Sequence, residues 1–240
     1  MNYTTLYNTI QTYTENQFPD VYLASGSTVN ATTQINTFIT QAEQRIYNSV
    51  QFPSLRKNVT GTTTSSNKYL SCPSDFLATY SLAVIDATGA YEYLLNKDVN
   101  FIRQAYPTPT DTAIPKYYAL FGPTVSGVTI SNELSFILGP TPDAVYTIEL
   151  HYYYYPESIT TIASGQTWLG DNFDTVLLYG SLVEAYSFMK GEVDIIAGYD
   201  AKYKEALALA QRLGDGMERS DAYRSGQYRQ APLPQNNGVR

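Results

Sequence analysis

Between Ala144 and Pro156 the apolar and polar positions alternate strictly. Tyr146, Ile148, Leu150, Tyr152 and Tyr154 fall on one side, and Thr147, Glu149 and His151 on the other. Successive side chains of a strand point to opposite faces, so this pattern predicts a strand with one buried and one wetter face. Pro156 ends it by removing a ladder donor. Upstream, Tyr3, Leu6, Ile10 and Tyr13 repeat at helical spacing and predict a short first helix. A Gly/Ser/Thr/Asn-rich loop is expected over residues 24–33. Ile35, Phe38, Ile39, Ala42, Ile46 and Val50 then form the apolar stripe of a second helix, with Gln41, Glu43, Gln44 and Arg45 on its other face. Phe52-Pro53 terminates it, because the residue before proline is pushed out of the α region.

From Leu55 the period changes. Residues 55–63 and 68–72 read as a hairpin around Thr64-Ser65-Ser66-Asn67, and residues 81–86 and 91–95 as a second one with Gly89 in its loop. Asp98 can cap a short helix holding Phe101, Ile102 and Tyr106. Further strands are predicted at residues 116–121, 125–131 and 134–138. Residues 173–189 are apolar on nearly every side, which predicts burial by the chain's own core and by a neighbouring subunit. Ile196, Tyr199, Tyr203, Leu207, Ala210 and Leu213 stripe a last helix, closed by Gly214 and Gly216. The expected fold class is α+β. Residues 1–53 and 171–213 make a helical bundle, residues 54–170 an inserted antiparallel β domain, and residues 214–240 an extended C-terminal tail.

Composition narrows the function. The 240 residues carry few charges, and their place is taken by Thr, Ser, Asn, Gln and 23 tyrosines. Such surfaces favour wet, hydrogen-bonded interfaces, where Tyr is enriched. No apolar run approaches the roughly 20 residues that span a bilayer, so no membrane contact is expected. The first residues lack the basic and apolar regions of a signal peptide. One cysteine, Cys72, excludes an internal disulfide framework and fits a chain made in a reducing cytosol. A net charge of −7 argues against gripping nucleic acid, though it suits a wall past which nucleic acid slides.

Reactive constellations are sparse. His151, the only histidine, sits on the wetter face of its strand and reads as structural. Cys72 reads as a small buried residue. A zinc site needs several Cys/His ligands that the chain does not have, and neither a phosphate-cradling loop nor a nucleophile elbow occurs. Asp171, Asp174, Glu184, Glu192 and Asp194 cluster in sequence, and a glycosidase needs only two carboxylates. Four of them, however, sit where acids favour helix N-termini. Asn2, Asn30 and Asn58 match the glycosylation pattern without a secretory signal. Of the run Tyr152–Tyr155, alternation leaves only every second ring on one face, too few for a sugar platform. No catalytic, cofactor-binding or metal-binding residue is therefore assigned. In the tail, Arg219, Arg224 and Arg229 recur every five residues beside Tyr223 and Tyr228. Arg and Tyr are enriched at binding hot spots, so these five are the expected partner-binding residues.

Several segments, taken in order, resemble the head-to-tail connector adaptor proteins of tailed bacteriophages. They are Gln41-Ala42-Glu43-Gln44-Arg45-Ile46, Tyr69-Leu70-Ser71-Cys72-Pro73-Ser74-Asp75-Phe76-Leu77, Pro115-Lys116-Tyr117-Tyr118, Leu138-Gly139-Pro140-Thr141-Pro142 and Glu149-Leu150-His151-Tyr152-Tyr153, with the two C-terminal helices. The likeness covers most of residues 1–213. It implies a homo-oligomeric ring of about twelve copies at the virion neck, below the portal protein. Such rings extend the DNA channel without binding the genomic DNA specifically. They also offer a docking surface to tail tube, nozzle or tail fibre proteins, and the C-terminal segment often reaches the portal. No cofactor is implied. Two other classes remain as alternatives, a virion-associated cell-wall glycan hydrolase and a glycan-binding module.

Overall fold

The computed structural model describes residues 1–108, 110–122, 124–126, 129–132 and 134–224. Asn2 accepts the N–H of Thr5 and opens helix α1 (Tyr3–Thr14). A short hairpin of β1 (Val21–Tyr22) and β2 (Thr28–Val29) leads to α2 (Ala31–Ser49), whose cap Asn30 accepts from Thr33. Two of the glycosylation-like asparagines are thus helix caps, each satisfying an otherwise orphan N–H. Next come β3 (Arg56–Thr62), β4 (Tyr69–Ser71), β5 (Ala78–Ile85), β6 (Tyr91–Tyr93), β7 (Leu95–Asn96) and α3 (Val99–Ala105). They are followed by β8 (Tyr117–Phe121), β9 (Thr124–Ser126), β10 (Thr129–Asn132), β11 (Ser135–Gly139) and β12 (Thr147–Tyr153). Three helices finish the described chain: α4 (Trp168–Asn172), α5 (Asp174–Phe188) and α6 (Val193–Arg224).

The chain divides into two compact units, one of Met1–Pro53 with the chain from Glu157 onward, the other Ser54–Pro156. Residues 157–170, expected in the β part, belong to the helical unit. Glu43 is one reason. The sequence pattern put it on the polar face of α2, yet it is buried, and its Oε1 accepts the N–H of buried Ile159 at 3.0 Å. A buried N–H without a partner is costly, so this bond holds the returning segment on α2.

Helix α5 packs against α1, α2, α4 and α6. Val176, Leu177, Leu178, Leu182, Val183 and Ala185 are buried within this single unit. The chain's own helices therefore cover most of its apolar surface, while Phe188 at its end is left exposed. Gly180 permits a close approach, since a Cβ there would lie 3.2 Å from both Ala42 Cβ and Tyr203 Cε2. Helix α6 differs from expectation as well. It runs through Gly214 and Gly216 to Arg224, so residues 214–224 are helical rather than extended. Gly214 is buried, and a Cβ there would meet the Gln51 carbonyl at 3.0 Å and Val50 Cγ1 at 3.1 Å. That glycine serves close packing, not helix termination.

In the β unit two four-stranded sheets, ordered β3-β12-β5-β6 and β4-β11-β8-β7, share one core. Leu82, Val84, Ile148, Leu150 and Tyr152 of the first meet Tyr118, Phe136 and Leu138 of the second, with Phe76 between them. The alternation of β12 is as predicted: Ile148, Leu150 and Tyr152 are buried and Thr147 is exposed. Strand β11 is buried on both faces, because Ile137 and Ala119 of β8 pack under Ile102 of α3. Asp98 caps α3 by accepting from Asn100, and Asp86 organises the β5–β6 turn by accepting from Thr88 and Ala90.

Two predicted pairings are corrected. Strands β3 and β4 are not a hairpin, since β3 pairs with β12 and β4 with β11. The segment between them bonds to the stretch before β12 instead. Ser66 N–H donates to the Pro142 carbonyl and Tyr146 N–H to Thr63 Oγ1, making a corner between sheets. The single strand expected over residues 125–131 is split, and β9 and β10 pair with each other.

Candidate functional site

The segments that made the sequence familiar resolve into packing roles. Ala42 faces Gly180, Glu43 holds Ile159, and Arg45 donates to Glu184 while lying 5.9 Å from the Tyr203 ring. Burial pushes the Glu43 carboxyl above its ordinary 4.5, against the opposing hydrogen bonds from Ile159 and Ser158. In the second motif, Asp75 accepts from Tyr152 Oη at 2.9 Å and from Lys57 Nζ at 2.8 Å. Burial by itself would raise the Asp75 carboxyl, but those two bonds outweigh it and hold it below its ordinary value. Phe76 lies beside Tyr152 at 5.8 Å and edge-on to Phe136 at 5.5 Å. Gly139 of the fourth motif leaves room for α3, since a Cβ there would lie 2.9 Å from Ile102 Cγ2.

Candidate chemistry fares as follows. Ser81 Oγ lies 3.2 Å from His151 Nδ1, and His151 Nε2 lies 3.8 Å from Glu149 Oε1, which also accepts from Asn58 at 2.9 Å. Sequence reading missed this Ser–His–Glu set because the strands meet only through the β12–β5 register. The carboxylate is beyond hydrogen-bond length. Moreover, β12 is paired on both sides, so its N–H groups are spent in ladders and build no oxyanion hole. Cys72 is pushed up to about 12 by burial, which keeps the thiol protonated and unreactive. The acids do not converge on a cleft. Asp171, Asp174 and Asp194 occupy first turns of helices, and Glu184 is held by Arg45. Among the described residues, no group of His, Cys, Asp and Glu could hold a metal ion. No helix there is long and apolar enough to cross a membrane.

Aromatic surfaces are the stronger feature. Tyr152 turns inward, while Tyr153 lies 6.0 Å from Tyr80 with Arg56 over both rings. The near-parallel exposed pair lies elsewhere, at Tyr91 and Tyr93 on edge strand β6, with centroids 6.4 Å apart. A second exposed patch is Val21, Tyr22 and Leu23 of the first hairpin. Both patches passed unremarked in the sequence, where each is only two or three residues beside a loop. Of the tail residues, Arg219, Tyr223 and Arg224 fall on α6, whereas Tyr228 and Arg229 lie outside the described residues.

These features define a two-unit α+β chain whose recognisable segments serve packing and whose exposed aromatics suit protein contact. The chain belongs to the SU10 adaptor protein family, whose model matches residues 1–230. That span reaches past the region of resemblance and takes in the positions of Arg219, Tyr223, Arg224, Tyr228 and Arg229. It is a phage adaptor family, so the chain is a virion-associated bacteriophage protein that works through other head and tail proteins. No curated protein matches it.

Proposed function

We propose that this chain is a non-catalytic neck protein. Copies form an oligomeric ring that joins the portal to the tail and continues the DNA channel. The observation that carries the reading is the family match over residues 1–230, and it is supported by motif residues spent on packing rather than on chemistry. An acidic balance of −7 suits a wall that genomic DNA passes without sticking. Arg219, Tyr223, Arg224, Tyr228 and Arg229 are proposed to reach the portal, where Arg can pair bidentately with carboxylates. The tail tube, nozzle or fibres would dock on another surface of the ring. Sedimentation with DNA-filled, tailless heads tests this. Full-length protein should co-sediment and a chain lacking residues 215–240 should not. Equal co-sedimentation of both would remove the tail from the joint, and failure of both would remove the neck role.

The near-parallel, half-exposed rings of Tyr91 and Tyr93 favour the glycan-binding alternative over the hydrolase. A glycan array read with wild type and with Tyr91→Ala/Tyr93→Ala decides it, because binding lost in the variant would support that reading.

A further inference from the structure

The first hairpin is a finger with a fixed root and an uncovered first strand. At the root, Phe18 is buried against Phe38 at 5.5 Å, and Asn16 Oδ1 accepts the Phe18 N–H at 2.8 Å. Buried Gln34 donates to the Pro19 carbonyl at 3.1 Å, fastening the chain to α2 just before the finger begins. Along its first strand and into the turn, Val21, Tyr22 and Leu23 are 45%, 80% and 46% exposed. The ladder has two residue pairs, Val21 with Val29 and Tyr22 with Thr28, and no third strand joins it among the described residues. A two-stranded hairpin is marginal alone, so three consecutive apolar side chains left in water along it call for a partner.

A complementary hollow lies on the same unit. Val29, Phe38 and Phe188 with Gln34, Thr37, Gln41, Glu184 and Ser187 line a trough of about 340 Å³. Phe188 is 55% exposed although its ring touches Phe38 at 5.2 Å, so the trough is not filled by its own finger. The one carboxylate in its wall, Glu184, is already paired with Arg45. A polar ledge of Thr33, Asn36 and Thr40 borders it. An apolar centre with a polar rim is the anatomy of a protein interface.

We infer that the Val21–Leu23 finger of one copy docks in the Phe38–Phe188 trough of a second copy, which deepens the ring reading above and rests on it. Finger and trough share the Gln34–Phe38 segment of α2, so both are anchored on the same helix. A contact between two different patches is heterologous, and it propagates into a ring when the rotation closes. Area sets its weight. Covering the three side chains removes on the order of 300 Å², given roughly 150–250 Å² for an aromatic one. Counting the trough, the contact buries on the order of 600 Å², about half of what a stable interface needs. It therefore sets the register of neighbours within a larger interface, and each copy in a closed ring makes it twice.

The test uses Tyr22→Cys and Phe188→Cys, each made singly in a Cys72→Ser background and one bearing a mass tag. The two are mixed, oxidised and run without reductant. The expected product is the mixed cross-linked dimer, with each variant alone giving little. Leu23→Cys mixed with Ser187→Cys repeats the test if Phe188→Cys folds poorly. Dominant Tyr22-to-Tyr22 linkage, or no linkage, overturns the docking. Wild-type mass is read in parallel by sedimentation. A wild-type oligomer without the cross-link sinks the docking and leaves the ring. A mixed cross-link from a chain that never exceeds a dimer sustains the docking and sinks the ring.

Discussion

Replacing Glu43 isolates the bond that ties the chain returning from the β unit to the helices. In Glu43→Ala the N–H of Ile159 keeps no acceptor at a site 1% exposed. Leaving a buried donor unsatisfied costs about 1–3 kcal/mol, and losing a buried methylene adds about 0.8 kcal/mol. Removing a carboxylate from a dry site returns part of that, so the expected net loss is about 2 kcal/mol. Glu43→Gln keeps the acceptor and discards the charge, and at neutral pH it should lie within about 1 kcal/mol of wild type. The pH dependence gives a second reading. The Glu43 carboxyl is raised above its ordinary 4.5 in the folded state, chiefly by burial. Its contribution is thus complete below 4.5 and is lost as pH climbs through the folded value. Wild type should lose ground to Glu43→Gln over that window, while other carboxylates cancel in the comparison. Urea midpoints of wild type, Glu43→Ala, Glu43→Gln and the exposed control Gln44→Ala across the window make the measurement. If Glu43→Ala moves the midpoint no more than Gln44→Ala, the bond to Ile159 is not what holds this segment.

Gly180→Val forces a branched side chain against Ala42 and Tyr203, and by overpacking should cost about 1–3 kcal/mol in thermal or urea unfolding. Tyr152→Phe removes the hydroxyl bond to Asp75 and should cost about 1 kcal/mol, whereas Lys57→Met, at an exposed pair, should cost under about 0.5 kcal/mol. The Asp75 carboxyl is depressed when folded, so its contribution is present above the ordinary 3.8 and lost as pH falls through the folded value; Tyr152→Phe should flatten that acid-side loss in melts taken down the pH scale. Residues 54–156 expressed alone should melt cooperatively, because their ends already meet where Arg56 pairs with Tyr153 and Tyr154 N–H donates to the Leu55 carbonyl at 2.9 Å. A non-cooperative melt with dye-binding apolar surface would show that the unit depends on the rest of the chain.

How much of this was legible beforehand depended on how local the cause is. The faces of β12, the stripe of α2, the Asp98 cap and the Gly89 turn all follow from neighbouring residues, and all are found as read. Pairing partners were not legible in the same way. Strand β3 alternates no differently whether it pairs with β4 or with β12, and only bonds across the corner at Thr63 decide. Burial of a charge was hidden too. Glu43 sits among polar neighbours in sequence, and the donor that keeps it inside is far along the chain. Gly214 misled because a glycine near a helix end signals a cap, whereas here it makes room for Gln51 and Val50. The all-round apolar helix α5 is buried as read, chiefly by the chain's own helices, with Phe188 left exposed at its end. The exposed strand of the first hairpin offered no periodicity at all. Three apolar residues beside a loop look like a core fragment until their exposure is known.

The central claim, that this adaptor acts as a ring on the portal, is tested most directly by particle mass. Purified protein is weighed alone and after mixing with purified portal, over a range of concentrations. The account predicts one discrete ring mass and a mixed complex with a fixed number of adaptor copies per portal. A chain that stays monomeric at every concentration and leaves the portal mass unchanged would contradict it.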